Sequence, residues 1–391
     1  MEVNERRIGQ QFRNFEKALT GFSNTEPFAR YLTRFFKENK QMGSSDRRMT
    51  SRLCYNFFRI GKAKGELPMM ERLALAEYLC ETHSSLVALV YPDLFPTLEL
   101  PVVDKIRILF DRFNFQLYDV FPFSDHMSDE IDKDAFVASF FTQPKLFIRI
   151  KRGFEHEVKS ELEKVGFAVD EIGPQTLALS NGTKLQQLFR LEGKYEVQDL
   201  SSQKTIHFME ALPHQSWWDA CAASGGKALL FLDRYPKTNL LVSDVRLSIL
   251  RNLDERFQKA DIRQDYRKKI IDLRQDTFSI LGDELFDGII LDAPCSGSGT
   301  WGRTPEMIQQ FSMDQLVEFS TLQRAIAQRV VRHLKPNGAM TYITCSVFKE
   351  ENENVVDYMV KELGLKLDRL EVIKGYQDKA DSMFAARLIK I

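Results

Sequence analysis

Two apolar runs constrain this chain more than anything else in it. Phe286-Asp287-Gly288-Ile289-Ile290-Leu291 and Ala339-Met340-Thr341-Tyr342-Ile343 each stop abruptly in small residues around one cysteine. The first runs into Asp292-Ala293-Pro294-Cys295-Ser296-Gly297-Ser298-Gly299-Thr300 and the second into Thr344-Cys345-Ser346. Continuous apolar runs bounded by turn residues suit strands covered on both faces, as in a parallel sheet. Two cysteines are therefore expected just past the ends of two buried strands. In an open α/β sheet that edge is where ligands bind.

The surrounding sequence extends the pattern. From about Leu185 onward, strand-like stretches at Ser216 to Cys221, Asn239 to Ser243 and Lys269 to Leu273 alternate with helical runs at Leu247 to Phe257, Met313 to His333 and Glu353 to Leu363. Alternation of this kind builds a parallel sheet with helices on both faces. At 391 residues the chain is too long for one core, and two or three domains are expected. No apolar run approaches the roughly 18 residues of a membrane span, and the first residues lack the apolar stretch of a secretory leader. Cys54, Cys80, Cys221, Cys295 and Cys345 are odd in number and include no Cys-x-x-Cys pair. That argues against a disulfide framework or a zinc site, and for a reducing, cytoplasmic setting.

Upstream, residues 1–142 read as a helical domain with a proline-punctuated connector from Tyr91 to Thr142. Phe12, Phe15 and Leu19, then Phe28, Tyr31, Leu32, Phe35 and Phe36, then Leu53, Phe57 and Ile60 recur at helical spacing. Between Met1 and Lys62 there are 13 Lys/Arg against 6 Asp/Glu, and Arg47, Arg48, Arg52 and Arg59 ride on the third helix, with Ser44 or Ser45 as its N-cap. Such a helix is either a solvated bundle face or a surface for phosphates. At Gln143-Pro144 the pattern changes. Lys145 to Lys151 alternates like a half-exposed strand, His156 to Val165 reads as a helix and Thr176 to Leu179 as a second strand. Residues 143–184 thus form a small α+β subdomain, either presenting a strand face to RNA or acting as a packing spacer. Residues 185–391 form the third domain, the alternating α/β one.

The first strand of that domain leads into Cys221-Ala222-Ala223-Ser224-Gly225-Gly226-Lys227, where glycines allow close backbone approach to a ligand. Asp244 follows Cys221 by 23 residues and ends the next strand, where a carboxylate accepts both hydroxyls of a ribose. There is no G-x-G-x-x-G, which disfavours a dinucleotide and favours a ribose-bearing cofactor without phosphate, such as S-adenosylmethionine. Asp276 is either a contact to the adenine amine or a helix cap.

Asp292, Cys295 and Cys345 then fall within side-chain reach, because adjacent strands lie about 4.8 Å apart. A lone buried cysteine is usually a small hydrophobe. Two at one ligand edge, beside a carboxylate, suit methylation of an unreactive aromatic carbon. Cytosine C5 becomes nucleophilic once a thiolate adds at C6, a carboxylate at N3 and the exocyclic amine stabilises the developing charge, and an acid/base group serves release.

On these residues the chain resembles the Sun/NOL family of RNA cytosine-C5 methyltransferases. The resemblance rests on Asp292 to Gly299, on Thr344-Cys345-Ser346 followed by Glu350-Glu351-Asn352-Glu353, and on Gly193 to Asp199 with Ser201-Ser202-Gln203. It implies a Rossmann-like, mostly parallel, seven-stranded methyltransferase sheet ending in Met383 to Ile389 as its antiparallel member. It also implies Cys345 as nucleophile, Cys295 as helper in adduct breakdown, Asp292 on the base, and S-adenosylmethionine held by Cys221 to Lys227, Asp244, Asp276 and Asp292. The helical domain resembles that of antitermination factors. Ribosomal RNA is the favoured partner, transfer RNA the alternative, with no membrane and a monomeric chain; a catalytically silent RNA-binding relative is the rival reading. Three departures stand out: Ser224 replaces a usual proline, Trp301-Gly302-Arg303 replaces a more basic pair, and Ala380 to Phe384 lacks the usual Asp-Gly-Phe-Phe run.

Overall fold

The computed structural model describes residues 4–262 and 264–391, which divide into two compact units. The first comprises residues 4–127, 132–143 and 300–312. Its helices α1 (Glu5–Thr20), α2 (Phe28–Glu38), α3 (Ser44–Arg59) and α4 (Met69–Cys80) turn their apolar stripes inward. Aromatic side chains dominate the core, with Phe15 edge-on to Phe57 at 5.3 Å and Phe28 edge-on to Phe58 at 4.8 Å. The N-cap of α3 is Gly43 and not a serine; the Asp46 carboxylate accepts from the Gly43 amide at 3.2 Å. Two of the four arginines on α3 are committed inward. Arg52 pairs at 2.6 Å with the buried Glu77, and Arg59, 3% exposed, donates to the carbonyls of Phe140 and Gly302.

The second unit, residues 128–131, 144–262, 264–299 and 313–391, contains two sheets. The smaller has order β2-β3-β1-β4, with β1 at Leu146–Ile150, β2 at Val169–Gly173, β3 at Thr176–Leu179 and β4 at Tyr195–Val197. Strand β4 comes from beyond residue 184, so this sheet runs further along the chain than the expected subdomain. Strand β1 is central and covered on both sides, not half-exposed. Ile148 and Ile150 pack with Val158 and Leu162 of the helix Glu155–Val165, while Phe147 packs with Ala178, Leu200 and Ala380.

The larger sheet has order β10-β11-β9-β8-β5-β6-β7, and β11 is antiparallel to both neighbours. Its strands are β5 (Ser216–Asp219), β6 (Asn239–Asp244), β7 (Tyr266–Ile270), β8 (Phe286–Asp292), β9 (Leu334–Thr344), β10 (Leu365–Ile373) and β11 (Met383–Lys390). This is the mostly parallel, seven-stranded sheet expected, with Met383–Lys390 as its antiparallel member. Strand β7 begins three residues earlier than the stretch read from sequence. Its Arg267, Lys268 and Lys269 are the charged residues of an edge strand, which an apolar pattern passes over. Among the described residues no helix is long and apolar enough to cross a membrane.

Candidate active site

The register of the sheet brings the two cysteine loops together. Strands β8 and β9 run parallel with Asp292 level with Ile343, and the Ala293 amide donates to the Ile343 carbonyl at 2.9 Å. Three residues past Asp292 and two past Ile343, the loops meet: the Cys345 amide donates to the Cys295 sulfur at 3.3 Å. Both thiols are free and half-buried. The hydrogen bond between their side chains, ahead of burial, holds the Cys295 thiol well above its usual range. They open into a cavity of about 540 Å³ that is also lined by Cys221, Asp244, Asp272 and Asp292.

Asp292 accepts from the Lys227 ammonium at 3.0 Å. Burial works against that ammonium, but Asp292, then Cys345 and Asp219, outweigh it and raise its pKa. Asp219, at the end of β5, is wholly buried and makes no well-formed hydrogen bond, although the Cys221 amide is a nearby donor. Burial, and next the negative charge of Asp292, push the Asp219 carboxyl up to about 8.

Behind the thiols lies a polar layer whose members sequence reasoning did not single out. The wholly buried Glu351 accepts from the Ser296 amide at 2.8 Å, the Ser296 and Ser346 hydroxyls, and the Gln323 amide at 3.1 Å. Asn352 takes the Thr344 hydroxyl at 2.6 Å and donates to the Ser346 carbonyl at 3.0 Å, gripping both neighbours of Cys345. Gly299 completes the fastening. Its amide donates to the Cys345 carbonyl at 2.9 Å and its carbonyl accepts from the Ser382 amide at 2.8 Å, so closely that a Cβ there would lie 1.9 Å from the Ser382 oxygen. The only sequence signal for Glu351 and Asn352 was their place in Glu350-Glu351-Asn352-Glu353.

The expected cofactor residues are partly assembled. Cys221, Ala223, Asp244 and Asp292 line the cavity. Ala222 is buried, its amide donating to the Ser243 carbonyl at 2.8 Å, and Ser224, Gly225 and Gly226 carry the turn into the helix Gly226–Arg234. Lys227 reaches the site through its ammonium. The Asp244 carboxylate is 8% exposed and folds onto Arg246, accepting from its amide at 2.9 Å and its Nε at 3.1 Å. Asp276 is not among the cavity residues: its side chain is 64% exposed and faces Arg332 at 3.9 Å. Because β7 ends at Ile270, the carboxylate that follows it into the cavity is Asp272, held by Arg274 at 2.9 Å.

Residues 206–389 match the family described as 16S rRNA methyltransferase RsmB/F. Among similar proteins, ribosomal RNA small subunit methyltransferase B of Xylella fastidiosa (strain 9a5c) is 30% identical over 281 residues, covering 67% of this chain and 65% of that protein. The enzyme of that name from Enterobacter sp. (strain 638) is 31% identical, covering 66% of this chain and 62% of that protein. Residues 206–389 of the chain form an RsmB/F domain of the Sun/NOL family. The chain spans slightly less than two thirds of the length of these curated relatives. The solved structure of PH0851 shares its fold at a TM-score of 0.73 and 20% identity, covering 97% of this chain and 98% of that one. NSun6 from Pyrococcus horikoshii, solved with SFG, gives 0.61 at 16% identity over 69% of this chain and 97% of that one. The RsmB/F fold is that of S-adenosylmethionine-dependent methyltransferases.

Within the RsmB/F pattern, the three departures have structural counterparts. Ser224 sits between Ala223, whose φ is +47°, and Gly225, at +84°, so the loop keeps a tight left-handed turn without the proline. Trp301, where a more basic pair was expected, is 1% exposed and packs on Phe121 and Phe311 within the first unit. In the altered C-terminal run, Ser382 closes onto Gly299 while Met383 and Phe384 are buried.

Proposed function

We propose that this chain methylates C5 of a cytosine in RNA, with ribosomal RNA as the substrate, through a covalent adduct between Cys345 and C6. The observation that carries this reading is the meeting of two thiols at one sheet edge, beside the Lys227-paired Asp292. The Cys345 thiolate adds to C6 and makes C5 nucleophilic. Asp292, steadied by Lys227, accepts from the exocyclic amine, and the Lys227 ammonium beside it offsets the charge that develops on the ring. After transfer, C5 loses its proton and the C6–S bond breaks. Cys295, hydrogen-bonded to the Cys345 side chain, stands next to the departing sulfur and serves that step as the acid, its S–H protonating the Cys345 thiolate as it leaves while the C5 proton passes to solvent.

S-adenosylmethionine, when bound, supplies the electrophilic methyl group. The acceptor set suits a cationic ligand with free hydroxyls: Asp244, Asp272 and Asp292 line the cavity. On this reading Asp244 takes the ribose, Asp272 replaces Asp276 at the adenine, and Cys221 to Lys227 form the loop against the cofactor.

RNA carrying 5-fluorocytosine tests the assignment. Cys345→Ala is expected to trap no covalent adduct and Cys295→Ala to accumulate one; the reverse pattern would make Cys295 the nucleophile. Bisulfite sequencing of ribosomal and transfer RNA from a strain lacking the gene is expected to lose a methylated cytosine in ribosomal RNA. Loss in transfer RNA alone would move the substrate there, and no loss in either would refute the activity.

A further inference from the structure

Arg149 on β1 is 7% exposed. Its Nε donates to Gln198 at 2.8 Å and its Nη1 to Asp233, but its enclosed Nη2 meets no acceptor among the described residues. Leaving a buried guanidinium N–H unmet is costly, and the vacancy asks for an acceptor. Arg149 lines a cavity of about 420 Å³ whose wall also carries Arg152, Arg234, Asp233 and Glu210. Arg152 and Arg234 are exposed and make no ion pair among the described residues. Both carboxylates are already committed, Asp233 to Arg149 and Glu210 to Arg369 at 2.6 Å and Arg387 at 3.3 Å. The cavity therefore offers three guanidinium groups and no uncommitted acid. Arg234 ends the helix that Gly226 begins, so at 1.5 Å per residue this cavity lies about 12 Å along the axis from the glycine loop.

We propose that this cavity binds a backbone phosphate of the RNA strand flanking the target base, with Arg149, Arg152 and Arg234 as donors. The inference rests on the reading of RNA as substrate. Guanidinium forks match phosphate oxygens in pairs, and of the two aromatic rings in the wall, His207 and Tyr235, the tyrosine spends its hydroxyl on the Met209 carbonyl at 2.6 Å. The guanidinium groups thus equip the site to hold backbone. A phosphate contact of that kind fixes the register of the strand without specifying its sequence.

The test uses the full chain and the double variant Arg152→Ala/Arg234→Ala, both changes being at exposed positions. Affinity for a fluorescein-labelled 20-nucleotide oligouridylate is measured by anisotropy across a salt series. Loss of this one phosphate contact is expected to weaken binding about tenfold and to flatten the salt slope by about 0.7, the value per phosphate on a single strand. On a methylatable RNA, KM is expected to rise with kcat unchanged. Equal affinity and slope in variant and wild type would overturn the phosphate site while leaving the RNA reading intact; a wild-type chain that binds no RNA would overturn both. If inorganic phosphate raises the wild-type Tm but the double variant keeps full RNA affinity, the cavity serves free phosphate and the inference fails.

Discussion

Glu351 carries no chemistry in the proposed reaction, yet it sets where the reacting residues stand. Its carboxylate, 0% exposed, gathers donors from Ser296, Ser346 and Gln323, residues that flank one cysteine, follow the other and come from the helix Met313–Val330. Glu351→Ala would leave those donors unmet and is expected to cost about 2–4 kcal/mol, read as a lowered Tm, with methyl transfer falling further than the loss of folded protein explains. Asp219 gives a separate prediction. Its pKa is raised in the folded protein to about 8, so the folded state holds this proton more tightly than the unfolded chain does. The stability it contributes is fully present below about pH 4 and is lost as pH rises through about 8. Asp219→Asn is expected to flatten the decline in urea midpoint across that window, and an unchanged slope would assign the decline to other groups. The cysteines and Asp292 were legible in the sequence because each follows an apolar run in a loop of small residues. Glu351 was not, since its partner Ser296 lies 55 residues away and only the folded chain joins them.

Among the elements, the strands that were read correctly are those with apolar side chains on both faces, such as β8 and β9. Strand β7 was misplaced because its exposed charges carry no period-2 or apolar signal, and with that shift the carboxylate singled out after the strand was Asp276, whereas the one that lines the cavity is Asp272. Strand β1 was read as half-exposed because Arg149 interrupts its apolar run, whereas that arginine is buried and paired. The glycine loop was legible in its composition but not in its strain. Gly225 has φ +84°, and a Cβ there would lie 2.7 Å from Phe257 and 2.9 Å from Leu253. Gly225→Ala is expected to cost about 1–3 kcal/mol and to weaken S-adenosylmethionine binding, measured by calorimetry, more than it weakens the fold. Unaltered affinity would mean that the turn does not shape the cofactor site.

For the whole molecule, the division into units does not follow the order of the chain. Residues 300–312 leave the catalytic sheet and fold with the N-terminal helices, where Glu306 accepts from the Phe28 amide at 3.2 Å and Trp301, Ile308 and Phe311 are buried. A fragment starting at Pro144 would expose those three side chains. It is expected to bind a hydrophobic dye and to aggregate, while replacing all three by serine in the fragment is expected to restore solubility; dye binding no greater than that of the full chain would show that the segment finds other cover. Sequence patterning located the helical region and the sheet but could not foresee this exchange, because a short aromatic segment looks the same whichever core it enters. The strand order of the sheet has a consequence for synthesis. Strand β11 lies between β9 and β10, so when β10 leaves the ribosome its place beside the sheet cannot yet be taken. Until Met383–Lys390 has been made, the apolar rim of β9 from Ala339 to Thr344 has no partner on that side. The half-made protein thus passes through an interval of stickiness, and the strand that leads into Cys345 is the one a chaperone would have to shield.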